Sequence, residues 1–70
     1  MAAFDDLLRR ERLRWGLSIG EAAWRFGITR AEYRALEAGD LLPSFRTYDR
    51  ICKLFGWSQS FVGRRHGLRP

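Results

Sequence analysis

The stretch LSIGEAAWRFGITRAEYRALEAG, Leu17–Gly39, contains two helix start signals, each followed by a glycine stop. The start signals are Ser-x-x-Glu at 18–21 and Thr-x-x-Glu at 29–32. At this spacing the hydroxyl and the carboxylate each accept a hydrogen bond from a free amide of the first turn, the arrangement called a capping box. Gly27 and Gly39 can adopt the left-handed conformation that ends a helix. The stretch therefore predicts two short helices, at residues 19–26 and 30–38.

Two capped helices separated by a short turn are the layout of a helix-turn-helix motif. In such a motif the second helix enters the DNA major groove, where arginine can bond guanine and alanine can contact the thymine methyl group. On the second helix, Tyr33 and Leu36 fall on one side and would face the core. A solvated surface is the ordinary alternative for the opposite side, but the capped partner helix favours base reading. The candidate base-reading residues are Arg30, Ala31, Arg34 and Ala35.

Helical spacing and glycine stops organise the rest of the chain in the same way. Residues before Gly16 carry acids in the first turn and arginine in the last, which suits a helix dipole. Ser44 can cap a helix that ends before Gly56, and Ser58 can cap a last short one. The predicted helices cover residues 3–15, 19–26, 30–38, 45–55 and 59–63. No strand-like alternation appears, so we expect an all-α, compact five-helix bundle over residues 1–63, with a basic tail at 64–70.

Composition limits the classes of function. Seventy residues suit one domain, and 13 basic against 8 acidic residues give a net charge of +5, which favours nucleic acid as a partner. The single cysteine, Cys52, can form no disulfide within the chain. The opening MAAFDD lacks the layout of a signal peptide, and no apolar run is long enough for a membrane span. We therefore expect a cytoplasmic protein with no membrane partner.

With its flanks included, the chain resembles the Cro/repressor-type (XRE family) helix-turn-helix proteins. The resemblance is carried by WGLSIGEAAWRFGITRAEYRALEAGDLLPS and the following FRTYDRICKLFGW, and it extends over residues 4–62. It implies a lambda-repressor-like DNA-binding domain that acts as a homodimer on a near-palindromic operator. The matching positions imply that Arg30, Ala31 and Arg34 read bases, and that Arg12 and Glu37 form a structural ion pair. The positions implied to contact phosphate, largely through helix N-terminal amides, are Ser18, Ile19, Thr29, Ser44, Phe45 and Arg46.

Three departures from the family pattern affect DNA anchoring. Ile19 stands where a phosphate-binding glutamine is usual, and the loop after the second helix of the motif reads Asp40-Leu41-Leu42 where it is often basic. Trp24 lies opposite the apolar face of its helix, where it can bind a partner, pack locally or contact the DNA backbone. The departures at Ile19 and in the loop both weaken contacts with the DNA backbone. Affinity would therefore depend more on Arg46, Arg50 or the arginines of the tail.

The remaining apolar residues offer surfaces for self-association or for another protein. The candidates are Trp24, Leu41, Leu42, Trp57, Phe61 and Val62. Trp57 and Phe61 can equally well close the core. A protein-interaction module, such as an antitoxin or adaptor, is the alternative function, and an excisionase-like or MerR-like protein is a weaker one. We expect no enzyme activity, metal, cofactor or small-molecule ligand, because His66 is the only histidine and Cys52 lies on an apolar helix face.

Overall fold

The computed structural model describes residues 3–57, which contain four α-helices and no strand. The helices are α1 (Phe4–Arg14), α2 (Ile19–Phe26), α3 (Arg30–Ala38) and α4 (Phe45–Phe55). The last three have the predicted bounds, whereas α1 is one residue shorter at each end because Ala3 is extended and Trp15 is the C-cap. The five-helix count is not matched within this part of the chain. The expected helix at 59–63 and the tail at 64–70 lie outside the described residues.

The core lies between the four helices and consists of aromatic and aliphatic side chains from each. It contains Phe4, Leu8, Ala22, Ala23, Phe26, Tyr33, Leu36, Tyr48, Ile51, Cys52 and Phe55. The Phe26 ring stacks on Tyr33 with centroids 6.1 Å apart, and it meets Phe55 edge-on at 5.7 Å. Such aromatic pairs add to the stabilisation from buried area. The two core alanines on α2 are small, which lets α3 pack closely against this helix.

Cys52 lies in this core, and Trp57 packs against it. Cys52 is a buried free thiol, and burial raises its pKa, as expected of an inert cysteine. Trp57 is half-buried and makes ring contacts with Phe4 and Phe55, at centroid distances of 6.3 and 5.4 Å. Trp57 therefore closes the core in this structure. Its expected companions in self-association, Phe61 and Val62, lie outside the described residues.

Arginines of α1 hold α3 in place. The Nε atom of Arg12 donates to Oε2 of Glu37 at 2.7 Å, and its Nη1 donates to the carbonyl oxygen of Leu17 at 2.9 Å. The ion pair implied by the resemblance is thus present. Arg9 joins it, with Nη2 donating to the backbone oxygen of Glu37 at 2.9 Å and Nε lying 3.7 Å from Oε1. One buried carboxylate on α3 therefore faces two cations from α1.

Candidate nucleic-acid interface

The turn between α2 and α3 consists of residues 27–29. Two structural features require glycine at its first position. Gly27 adopts φ 69° and ψ 32°, in the left-handed region. Its open side is also occupied by the guanidinium of Arg50, whose Nη1 donates to the backbone oxygen of Phe26 at 3.1 Å. Ile28 then packs against the core. Arg50 therefore ties α4 to the end of α2, directly before the turn.

The helix α3 presents its two sides as the sequence predicts. Tyr33, Leu36 and Glu37 are buried, while Arg30, Ala31 and Arg34 are exposed. Ala35, the fourth candidate base-reading residue, is half-buried and lies at the border of the exposed side. Among the described residues, no carboxylate forms an ion pair with either arginine. The exposed side of α3 therefore carries two cations separated by small side chains.

The hydroxyl groups expected to contact phosphate are engaged in helix caps. The Ser18 hydroxyl accepts from the Glu21 amide at 3.0 Å, and Glu21 Oε1 accepts from the Ser18 amide at 2.8 Å. That backbone hydrogen bond, together with one from the Ser18 side chain, lowers the pKa of Glu21. Thr29 and Glu32 form the second box, with the hydroxyl accepting from the Glu32 amide at 3.0 Å. Both boxes therefore place a glutamate side chain at a helix start, next to the amides proposed for phosphate binding.

The start of α4 has a simpler cap. The Ser44 hydroxyl accepts from the Thr47 amide at 3.2 Å and donates to the Thr47 hydroxyl at 3.1 Å. Phe45 and Arg46 are exposed beside it. The side chain of Ile19, at the start of α2, packs against the core instead. Ile19 can therefore take part in binding only through its amide, whereas Arg46 can offer a charged side chain.

Three apolar side chains near the motif are exposed. Trp24 has 82% of its surface exposed, and Leu41 and Leu42 have 44% and 55%. Trp24 lies on the outer side of α2, in a shallow recess that it shares with Arg25 and Arg30. Local packing, one of the three roles considered for this tryptophan, is not what the structure shows.

Three residues that position the motif could not be identified from the sequence. Arg9 and Arg50 act on partners 28 and 24 residues away, and neither spacing has a local signature. Gly20 lies against the guanidinium of Arg30, which a helix pattern cannot reveal. Sequence patterns indicate contacts within a turn of helix, whereas the contacts of these three residues arise from tertiary packing.

The comparison with protein families agrees with this geometry. The family model of a helix-turn-helix domain matches residues 4–62, and the chain belongs to that family. No curated protein and no solved structure matches the chain. Helix-turn-helix domains bind DNA with the second helix of the motif, which is α3 here.

Residues 3–57 contain neither a candidate membrane span nor a candidate metal site. No helix there is long and apolar enough to cross a membrane. No cluster of three or more histidine, cysteine or acidic side chains in that part of the chain could hold a metal ion.

Proposed function

We propose that the chain is a small transcriptional regulator of the Cro/repressor type, which binds double-stranded DNA in a sequence-specific manner with α3 in the major groove. The observation that carries the proposal is the outer side of α3, where two arginines are exposed without a carboxylate partner among the described residues. Cations held this way keep their donors free for base edges and phosphates.

Packing behind α3 supports this orientation. Tyr33 and Leu36 are fully buried, and Glu37 is held by Arg9 and Arg12, so α3 cannot rotate to hide its arginines without losing these contacts. Ala31 adds little bulk between the arginines, which lets the helix backbone lie deep in a groove. The net charge of +5 also favours binding to the negatively charged DNA backbone.

A homodimer on a near-palindromic operator is part of the proposal. One helix of nine residues reads few base pairs, and a dimer doubles the contacts through two-fold symmetry. The protein would act in the cytoplasm, without enzyme activity, as a repressor or a Cro-like regulator.

The test is selection of bound duplexes from a random-sequence library by the full chain, repeated at two salt concentrations. We expect a preferred motif whose affinity falls steeply with salt as counterions are released. Arg34→Ala should lose preference at one base pair per half-site, a cost of about 1–3 kcal/mol. Arg10→Ala removes the same charge from the exposed surface of α1 and serves as the control. Selection of no motif, or of an unchanged motif by Arg34→Ala, contradicts the proposal.

A second candidate is a protein-interaction module, such as an antitoxin or adaptor. The exposure of Trp24, Leu41 and Leu42 favours it, because tryptophan often anchors protein interfaces and the two leucines add exposed apolar surface. The excisionase-like or MerR-like alternative has less support, since α4 follows the motif where those proteins have a β wing.

A further inference from the structure

Gly20 occupies a position in α2 where glycine has no conformational purpose. It lies in the first turn of the helix, and it is not among the residues with positive φ. The capping box requires only Ser18 and Glu21. A glycine inside a helix is destabilising relative to alanine. A reason for Gly20 must therefore come from outside its own helix.

That reason is the side chain of Arg30. A Cβ atom on Gly20 would lie 2.9 Å from Nε, 3.0 Å from Nη2 and 3.2 Å from Cζ of Arg30. Each distance is shorter than a normal contact, so the guanidinium lies directly against the bare backbone of Gly20. The side chain begins on α3, at its first residue, and ends over the first turn of α2.

The recess around this guanidinium is exposed and cationic. It is lined by Ser18, Gly20, Glu21, Trp24, Arg25 and Arg30. The Glu21 carboxylate accepts a hydrogen bond from the Ser18 amide and is held in the cap, at 2.8 Å. Among the described residues, Arg25 and Arg30 form no ion pair with a carboxylate, although the charge of Arg25 acts on Glu21. The recess therefore carries two guanidinium groups and one carboxylate, a net positive charge that favours an anion.

The two arginine side chains of α3 therefore end at different places on the motif. Arg34, one turn further along, is exposed, and its side chain does not lie against any glycine of the described residues. It remains free to reach the floor of the groove. Arg30 lies over the first turn of α2, and in helix-turn-helix complexes the first helix of the motif crosses the sugar-phosphate backbone.

We propose that Gly20 is a positioning residue that assigns Arg30 to a DNA phosphate and leaves base reading to Arg34. This inference rests on the proposed function and refines it, because it separates two arginines that the sequence pattern places together.

The experiment measures binding of the full chain to two probes, a random-sequence duplex pool and the duplex selected by the wild-type chain, over a range of salt. Arg30→Ala should weaken binding to both probes roughly tenfold, reduce the salt slope by about one and leave the base preferences unchanged. Arg34→Ala should instead remove a base preference and bind the random pool with less change. Arg10→Ala again controls for the loss of one charge.

Gly20→Ala tests whether the bare backbone at this position places the Arg30 guanidinium. The added methyl group meets the far end of a flexible side chain, so Arg30 can swing away and the fold should persist with an unchanged or higher Tm. Binding to both probes should nevertheless weaken. In the Arg30→Ala background, Gly20→Ala should have no further effect, because the side chain that it displaces is gone.

The outcomes separate the inference from the function on which it rests. A lower salt slope with unchanged base preference in Arg30→Ala, together with non-additivity of the double variant, supports the inference. Loss of a base preference in Arg30→Ala, or additive effects of Gly20→Ala and Arg30→Ala, overturns it and leaves DNA binding intact. Unchanged binding in both Arg30→Ala and Arg34→Ala overturns the inference and the proposed function together.

Discussion

The carboxylate of Glu37 lies against Arg12 at 2.7 Å, with 8% of the Glu37 side chain and 12% of the Arg12 side chain exposed. The hydrogen bond to Glu37 raises the pKa of the Arg12 guanidinium, which therefore stays charged. Because both groups are largely removed from water, each depends on the other for compensation. The pair joins α1 to the buried side of α3, so it controls the placement of the proposed recognition helix without contacting DNA.

Arg12→Ala should therefore lower the free energy of unfolding by about 3 kcal/mol, since it leaves Glu37 buried with only a partial partner. Arg9→Ala is the matched control: its side chain is 49% exposed, and its loss should cost less than about 1 kcal/mol. Urea denaturation of the two variants measures the difference. Equal costs would show that the buried geometry of Arg12 has no special energetic role.

Gly27→Ala should destabilise the protein more than Gly16→Ala. Both glycines have φ 69°, so alanine at either position incurs the same left-handed strain, about 1 kcal/mol. A Cβ on Gly16 meets nothing within 4 Å, whereas one on Gly27 meets the Arg50 guanidinium that bonds the end of α2. The additional cost at Gly27 should be about 1 kcal/mol, for the displaced hydrogen bond.

Denaturant titrations of both variants, alone and with Arg50→Ala, measure that additional cost. It should disappear in the Arg50→Ala background, because the displaced group is then absent. A difference that persists there would assign the role of Gly27 to the turn backbone alone.

Tyr33→Phe should stabilise the fold. The Tyr33 hydroxyl is buried and makes no hydrogen bond to the described residues, and removing such a group should add about 1 kcal/mol. Burial, aided by the Glu37 charge, raises the pKa of this phenol. The unfolded chain ionises Tyr33 near pH 10, while the folded protein keeps it neutral, so the wild type should lose stability as pH rises through that value.

The free energy of unfolding, measured from pH 8 to about pH 11, checks both parts of this prediction. The variant should retain more stability than the wild type, and the gap should widen above about pH 10. Cys52 also has a raised pKa and contributes an alkaline loss in both proteins, so only the difference between them reports Tyr33. A gap that stays constant with pH would contradict the assignment to the phenol.

Whether a feature of this fold can be predicted from the sequence depends on the range of the interaction that sets it. The bounds of α2 and α3 could be predicted because capping boxes and glycine stops act within one helical turn. Arg9 and Arg50 could not be assigned, because their partners are distant in sequence and are chosen by packing.

For the candidate interface too, the sequence predicts the local features and only the structure gives those that depend on packing. Periodicity placed Arg30 and Arg34 on one exposed side of α3, as observed. Periodicity cannot tell where a long side chain ends, and the structure places the Arg30 guanidinium on Gly20. Ala35 shows the complementary limit, since an angle on a helical wheel does not say how far a neighbouring helix covers that position.

Trp24→Ala should leave folding intact and affect binding. Its indole is 82% exposed, so truncation should change the free energy of unfolding by less than about 0.5 kcal/mol. Trp57→Ala, the matched control, removes ring contacts with Phe4 and Phe55 and should cost about 3 kcal/mol. Equal destabilisation of the two variants would show that Trp24 packs against the protein in solution.

Binding then distinguishes the two roles left for this exposed side chain. Trp24 lines the recess that holds Arg30, so we expect Trp24→Ala to weaken binding of all duplexes by a similar factor and to keep the selected motif. The measurement is fluorescence anisotropy of labelled random and selected duplexes, at the salt concentration used for the wild type. If affinity for both duplexes is unchanged, the indole does not face DNA, and its exposure, like that of Leu41 and Leu42, favours the protein-interaction alternative.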